Sequence, residues 1–560
     1  MRNIIVVEAI STGINFVTDI VHRGYHPVVL ELAAPEGSDI SAMREASYSL
    51  TGDPFETIAE RESYEETLEL VKSYDPVLVL AGSEDGVVMT AKLVSDLGLP
   101  GNQIANIDKM TKKSAMHEAL KEAGLRYIKG EVFTEPEAAL AFCRSNGLTK
   151  AVVKPLQSAG SQGLFLCDSL DEVKDAAEKL LTMNDVYGYP IRSAIVQERI
   201  NGTEYVVNTM SCGGRHRVSS FFRYKKVKTD EGGYIYDCME NIYRLEPGHN
   251  ALIEYALKTA DAIGIKYGSV HGEYMIDEHG PVLIEVNCRP MGGTMPAGFL
   301  DLMYGQHETD SVLDCYLAPE KFAADAVRPY RPMRQGYIKF IRVPADMEAE
   351  TLPIWTIAEN LRSTFLISTD DRYTIRSYVK TRDLETAGGS IFMVHDDKAV
   401  ADADLKLLSM IEDRYFSYIF NDGMSRRWFY DKNAAETTCS EFEKLIHSSG
   451  STLLVSDRID ACEGAMTVSP ENADNITYGF DQIILDIGDW ITGVNEVSCL
   501  EKLFSIMKKV KPGSRVIITE HTWQYLSYQR DGAELLFNVL GYILDMPVQG
   551  QDRSVSGVKC

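Results

Sequence analysis

Apolar residues arrive first as short unbroken runs separated by stretches of helical spacing. Residues 3–7 are a buried-type β run, 14–22 have apolar positions three and four apart, and 27–32 are a second β run. Helical spacing returns at 64–73, followed by a third strand at 76–80. Strands alternating with helices predict a parallel sheet covered by helices. Gly98-Leu-Pro-Gly101 closes that unit. A helix is then expected from Thr111 as N-cap, with Met116, Ala119, Leu120 and Ala123 on one face and Gly124 as its stop. Residues 127–319 mix α and β. Strands at 336–343 and 391–395 and a helix at 402–418 form an accessory α+β part. The last stretch has strands at 452–455, 482–486 and 514–519, with an amphipathic helix at 497–510 between the last two.

The 560 residues exceed one hydrophobic core and predict three or four domains. A net charge of −26 argues against nucleic acid or an anionic membrane as partner. No run approaches the roughly 18 apolar residues of a membrane span, and the apolar start stops at Glu8, a poor signal peptide. Ten cysteines show no Cys-x-x-Cys pair, which fits reduced thiols and a cytoplasmic protein.

Three stretches carry chemistry. In 151–164 an apolar strand delivers Lys154 to a loop of small residues, Ser158, Ala159, Gly160 and Ser161, whose backbone N–H groups can approach phosphate; a plain hairpin turn fits the same residues. In 194–207 two β runs flank Asn201-Gly202, leaving Gln197, Glu198 and Glu204 near one another. A backbone hinge at 198–200 can meet a purine edge and Glu204 can accept from ribose hydroxyls; an edge strand with solvated charges is the alternative. In 271–293 a hairpin carries Glu273 on one strand and Glu285, Asn287 and Arg289 on the other. Strict alternation puts those three on one face together with Leu283, and Glu273 opposite Glu285. Two carboxylates and an amide oxygen are hard ligands suited to Mg²⁺.

In this order and spacing the three stretches resemble the ATP-grasp superfamily over about residues 1–420, and within it the L-amino acid ligases that make dipeptides. The resemblance implies an α/β and α+β multidomain chain: a pre-ATP-grasp parallel-sheet domain at 1–105, an ATP-grasp domain at 106–330 (lid about 127–200, central grasp about 200–320) and an accessory part at 331–422. Lys113 then matches the first nucleotide lysine, where the family often has Asp-Lys and this chain has Lys112-Lys113. Lys154 matches the second, with Ser158, Gly160 and Ser161 in the phosphate loop. Gln197, Glu198 and Ile200 fall in the adenine hinge, and Glu204 is the ribose carboxylate. Glu273, Glu285 and Asn287 match the ligands of two Mg²⁺ ions, for which Mn²⁺ substitutes, and Arg289 steadies the transferred phosphoryl group.

Substrate residues are fewer. Glu84, at the carboxyl end of a parallel strand, is a candidate for an ammonium group or a solvated turn carboxylate; His271 is a substrate contact or a satisfied buried histidine. Residues 224–237, with Lys225, Lys226 and Lys228, are a substrate flap or a solvated loop. Residues 423–560, with Lys511-Pro-Gly513 before a strand, resemble the back half of a class I methyltransferase without its glycine-rich first loop, so a non-catalytic Rossmann-like module for dimerisation or substrate closure is expected. The implied activity is an ATP-dependent ligase that makes an acyl phosphate and couples it to an amine, forming a dipeptide or related amide. The alternatives are an ATP-grasp carboxylase or nucleotide-biosynthesis ligase, and a non-catalytic nucleotide-binding protein.

Overall fold

The computed structural model describes residues 1–34, 38, 40–156, 163–184, 190–228, 234–343, 346–349, 354–369, 376–384, 386–419, 450–458, 460–476, 479–487, 490, 506, 510–519, 542–545 and 554–559. Two units divide the chain: 1–340 with 382–385 and 392–398, and 341–381 with 386–391 and 399–560.

The first unit opens with four parallel strands, β1 (Asn3–Val7), β2 (His26–Glu31), β3 (Glu56–Ala59) and β4 (Pro76–Ala81), in the order β3-β2-β1-β4. Ile4 to Val7 are fully buried, which is why that run is apolar at every position. The helices are α1 (Asn15–His22), α2 (Ile40–Tyr48), α3 (Tyr64–Ser73) and α4 (Gly86–Leu97). α3 starts at a capping box, in which Ser63 Oγ accepts from Glu66 N and the Glu66 carboxylate accepts from Ser63 N. The turns after β1 and β4 interlock. A Cβ on Gly13 would lie 2.2 Å from the Gly82 carbonyl oxygen, so neither loop tolerates a side chain there.

α5 (Ile107–Thr111) and α6 (Lys113–Glu122) follow. Here the expected cap fails: Thr111 belongs to α5, its hydroxyl donates to Ile107 O, and the N-cap of α6 is Lys112. A four-stranded antiparallel layer comes next, β5 (Gly130–Phe133), β6 (Ala151–Pro155), β7 (Phe165–Cys167) and β8 (Ala194–Glu198), in the order β5-β8-β6-β7. Leu140, Val153, Val173, Leu180 and Val196 pack it against α7 (Pro136–Ser145) and α8 (Leu170–Leu180).

The large sheet holds β9 (Thr203–Cys212), β10 (Arg215–Lys228), β11 (Tyr234–Asn241), β12 (Gly268–Asp277), β13 (Gly280–Asn287) and β14 (Gln335–Phe340) in the order β13-β12-β9-β10-β11-β14. β14, placed by the sequence in the accessory part, thus pairs with β11 of the first unit. Residues 224–228 and 234–237 are strand, not flap or loop. One face carries Tyr205, Phe221, Tyr274, Leu283 and Val286 against Leu252 and Ala256 of α9 (Pro247–Ile263). The other face packs Val206, Phe222, Met239 and Ile338 on α10 (Ala297–Tyr304), and beside them carries a group of polar positions.

A β-bulge breaks strict alternation in β13. Glu285 pairs with Glu273, yet Leu283 pairs with Tyr274, so one extra residue, Ile284, sits between the pairs. Leu283 therefore joins the apolar core and not the face of Glu285, contrary to the alternation expected from sequence.

α11 (Glu308–Leu317) is preceded by His307, held by Asp19 Oδ2 at 3.0 Å and Asp301 Oδ1 at 2.9 Å; α12 (Pro319–Ala326) follows. Burial works against the imidazolium, but the two carboxylates outweigh it and raise its pKa to about 10. A raised folded pKa stabilises fully below the unfolded value of about 6.5 and is lost as pH climbs toward 10. His307→Gln is expected to lower stability at neutral pH by about 3 kcal/mol. Melting curves from pH 6.5 to 10 should fall more steeply for the wild type than for the variant.

The second unit contains the helix Ile354–Asn360 and most of the helix Lys398–Ile419, where Arg342 pairs with the buried Glu412 at 2.5 Å. Its mixed sheet runs Met466–Val468, Thr452–Ser456, Phe480–Asp486, Val510–Thr519, Ser554–Lys559, Tyr542–Asp545. The first four strands are parallel, and Ser554–Lys559 is antiparallel to both neighbours. At the carboxyl ends, Arg458 grips the fully buried Asp486 through Nη2 at 2.6 Å and Nε at 3.1 Å. Most of the expected helix at 497–510 lies outside the described residues, and Val510 already begins a strand.

Candidate functional site

The polar face of the large sheet is assembled by register. β9 contributes Glu204, Val206 and Asn208, and β10 contributes Ser220, Phe222, Tyr224 and Lys226. β12 adds His271 and Glu273, and β13 adds Glu285 and Asn287. Glu273 pairs with both Glu285 and Val206, so the two carboxylates lie side by side across one ladder.

Each acid has a basic partner. Lys113 Nζ lies 2.5 Å from Glu285 Oε2, Lys226 Nζ 2.8 Å from Glu204 Oε2, and His271 Nε2 3.4 Å from Glu273 Oε1. Lys113 points inward, whereas its neighbour Lys112 is exposed and bonded to Asp108. Burial lowers the Lys113 ammonium pKa, but Glu285 more than offsets this and leaves it raised. Burial raises Glu204, opposed by Lys226. Glu273 is pushed the other way: burial opposes its charge, but the hydrogen bond from His271 prevails and lowers it.

Lys154, the fourth position of β6, is buried and forms no ion pair among the described residues. Burial lowers its pKa to about 8, with Glu285, Glu273 and Glu204 pulling upward and Lys113 downward. An ammonium held in a dry site without its own counter-ion is ready for an anion. His117, one turn after Lys113, was not singled out from the sequence. Burial first, then Lys154, drives its pKa down to about 4, so it is neutral.

Behind the acids runs a buried relay. His271 Nδ1 lies 2.9 Å from Asn208 Oδ1, Asn208 Nδ2 donates to Ser220 Oγ at 2.8 Å, and Ser220 Oγ lies 3.5 Å from Glu308. Glu308 accepts from Met291 N at 2.8 Å, two residues after Arg289. Asn208, a single polar residue in an apolar run, gives no sequence signal of direction, and Glu308 is one of several polar residues between Gln306 and Ser311 with nothing to set it apart.

Arg289 Nη2 donates to Glu84 at 3.2 Å, which joins the loop after β4 to the hairpin end. The segment after Arg289 is pinned to the first sheet: Thr294 N donates to Ser11 Oγ, Met295 N to Thr12 Oγ1, and Asn15 Nδ2 to Met295 O. Ser11 and Thr294 have φ of 55° and 48°, in the left-handed region that costs non-glycine residues about 1–3 kcal/mol. Glu84 is 60% exposed at the mouth, whereas His271 is buried in the relay.

The hinge residues do not share partners. Glu198 Oε1 accepts from Lys129 N, while Gln197 is buried opposite Gly130 with its Nε2 unbonded. Ile200 is half-buried. Ser158, Gly160 and Ser161 lie outside the described residues.

Among the described residues no group of three His, Cys, Asp or Glu is arranged to hold a metal by itself. Glu273, Glu285 and Asn287 still fit Mg²⁺, which takes few protein ligands and fills its shell from water and phosphate.

Comparison with known proteins finds similarity over part of the chain. Residues 148–297 match the ATP-grasp domain. Dapdiamide A synthase of Enterobacter agglomerans is 29% identical over 267 residues, 48% of this chain and 62% of that protein. Phosphoribosylamine–glycine ligase of Methanothermobacter thermautotrophicus is 28% identical over 256 residues, 39% of this chain and 57% of that one. The chain thus spans less than two thirds of either relative. An L-amino acid ligase from Bacillus licheniformis shares the fold at a TM-score of 0.55 and 17% identity, over 73% of this chain and 97% of its own. Among the described residues no helix is long and apolar enough to cross a membrane.

Proposed function

We propose that the chain, whose residues 148–297 match the ATP-grasp domain, is an ATP-dependent carboxylate–amine ligase that joins two amino acids, or an amino acid and a small acid. The observation that carries this is the Glu273–Glu285 pair facing Lys113 and Lys154, with Arg289 two residues beyond the end of β13.

ATP is the phosphoryl donor. One substrate carboxylate oxygen attacks the γ-phosphorus, ADP leaves, and the amine of the second substrate displaces phosphate from the acyl phosphate. Such transfer needs positioning and charge neutralisation more than covalent help. Lys113 and Lys154 bring two ammonium groups to the nucleotide's phosphates. Arg289 is a planar fork suited to the oxygens of the transferred group. Glu204 accepts from ribose, and the strand end at 198–200 receives adenine. Glu273, Glu285 and Asn287 would hold Mg²⁺, which supplies charge neutralisation at the phosphates when bound. Glu84, exposed beside Arg289, is suited to a substrate ammonium group.

Amino acids are the substrate class to test first, since the relatives include a dapdiamide A synthase and the fold is shared with an L-amino acid ligase. The second unit's sheet is read as a non-catalytic Rossmann-like module, because the Arg458–Asp486 pair fills the strand ends where such sheets bind ligands.

The test is ADP release from ATP and Mg²⁺ across pairs of amino acids and small acids, with mass spectrometry of the product. Release that needs both a carboxylate and an amine, with an amide formed, is expected. Release with bicarbonate alone, or no release across the panel, would refute the assignment.

A further inference from the structure

Glu308 has no part in the reading above, yet both of its carboxylate oxygens lead toward the site. It begins α11 and is buried. Oε2 accepts from Met291 N at 2.8 Å, and Oε1 lies 3.5 Å from Ser220 Oγ. The second contact orients the first. Asn208 gives its two amide protons to Ser220 Oγ at 2.8 Å and Met291 Sδ at 3.3 Å. Ser220 thus receives a proton from Asn208 and has its own to give to Glu308. A carboxylate held on that side presents its other oxygen to the Met291 N–H.

Met291 is the second residue after Arg289, and Gly292 and Gly293 follow it. Before Arg289 the backbone is fixed by the β12–β13 ladder, which pairs His271 with Asn287. Beyond Met291 the two glycines offer no stiffness, and Gly293 has a φ of 78°. The bond from Met291 N to Glu308 therefore closes a short span, 287–291, on which Arg289 stands. Asn208 holds the same Met291 through its sulfur, so β9 and α11 grip one residue from two sides. A guanidinium mounted in this way makes its bonds to Pro290 O and Glu84 from a set position.

We propose that Glu308 is a positioning residue: through the Met291 N–H it fixes the turn that carries Arg289, and so where the guanidinium meets the transferred phosphoryl group. This rests on the ligase reading above and adds a residue that touches neither nucleotide nor substrate. Two features favour positioning over simple support of the helix. α11 is anchored without Glu308, because His307 and Thr309 on either side of it both reach Asp19 Oδ2, at 3.0 and 2.6 Å. The Glu308 side chain, costly to bury, is bonded to the sheet and to the Arg289 turn and not to its own helix.

Steady-state ADP release and amide formation on the full chain test this, with Glu308→Leu, Glu308→Gln, Arg289→Lys and the double variant of Glu308→Leu with Arg289→Lys. Leucine removes the acceptor, whereas glutamine keeps one oxygen for the Met291 N–H. A small displacement of the turn predicts that Glu308→Leu loses about tenfold or more in kcat, with KM for ATP changed by less than about threefold. Glu308→Gln should stay within about threefold of wild type. Because Glu308 acts through Arg289, the double variant should lose no more than about twofold beyond Arg289→Lys alone. Losses that multiply in the double variant, a Glu308→Leu effect that is absent or confined to KM, or a glutamine variant as impaired as the leucine one would each overturn the proposal. If Glu308→Leu does not fold, Glu308→Asp, which withdraws the carboxylate by one methylene, takes its place in the same cycle with the same expectations. A wild type that releases no ADP with any substrate pair would instead overturn the ligase reading, and the role of Glu308 with it.

Discussion

Glu285→Gln is expected to fold like the wild type and to lose turnover by about 10³-fold or more. Glu285 is half-buried, pairs with Glu273 across the ladder and accepts from Lys113 at 2.5 Å. Glutamine keeps the shape and one acceptor oxygen but removes the charge. Two consequences follow. The cation site loses one of its two carboxylates, and Lys113 loses the counter-charge that raises its pKa. Neither is a folding element, because the hairpin is held by its ladder and by Leu283 and Val286 in the core. Circular dichroism and melting should therefore change little while ADP release disappears. Turnover within about threefold of wild type would remove Glu285 from the metal set.

Arg289→Lys should cost about 10²-fold in turnover, although the charge is retained. The guanidinium is placed by its own geometry: Nη1 donates to Pro290 O at 3.1 Å and Nη2 to Glu84 at 3.2 Å. An ammonium cannot make both contacts and also present two parallel donors to a phosphoryl group. Steady-state kinetics should show the loss in kcat, with KM for ATP changed by less than about threefold, since Arg289 acts at the transferred group and not at the nucleoside. A loss confined to KM would mean that Arg289 serves nucleotide binding alone.

Much of this was legible in the sequence where one rule governs one element. Wholly apolar runs gave the buried parallel strands β1, β2 and β4, and helical spacing gave α1 and α3. The facing of Glu273 and Glu285 followed from hairpin pairing. Other features depend on events that a local pattern does not record. The bulge at Ile284 moved Leu283 to the core, because an inserted residue shifts every neighbour by one face. Lysines at 225, 226 and 228 read as a solvated charge run. In the strand, alternation turns Lys226 into the pocket and Lys225 to Glu240, and a second bulge, in β11, brings Tyr236 opposite Lys226. The α2 helix, β3 and α4 were not anticipated; α2 and β3 are mixed in polarity, and β3 has a single buried residue. Asn208 and Glu308 became part of the site only when distant strands and a helix were brought together.

The most direct measurement follows oxygen. A substrate acid carrying ¹⁸O in its carboxylate is incubated with ATP, Mg²⁺ and the partner amine, and the released phosphate is analysed by mass spectrometry. Formation of an acyl phosphate predicts one ¹⁸O in inorganic phosphate for each amide made. Amide formed with unlabelled phosphate, or with the label in AMP, would contradict the account.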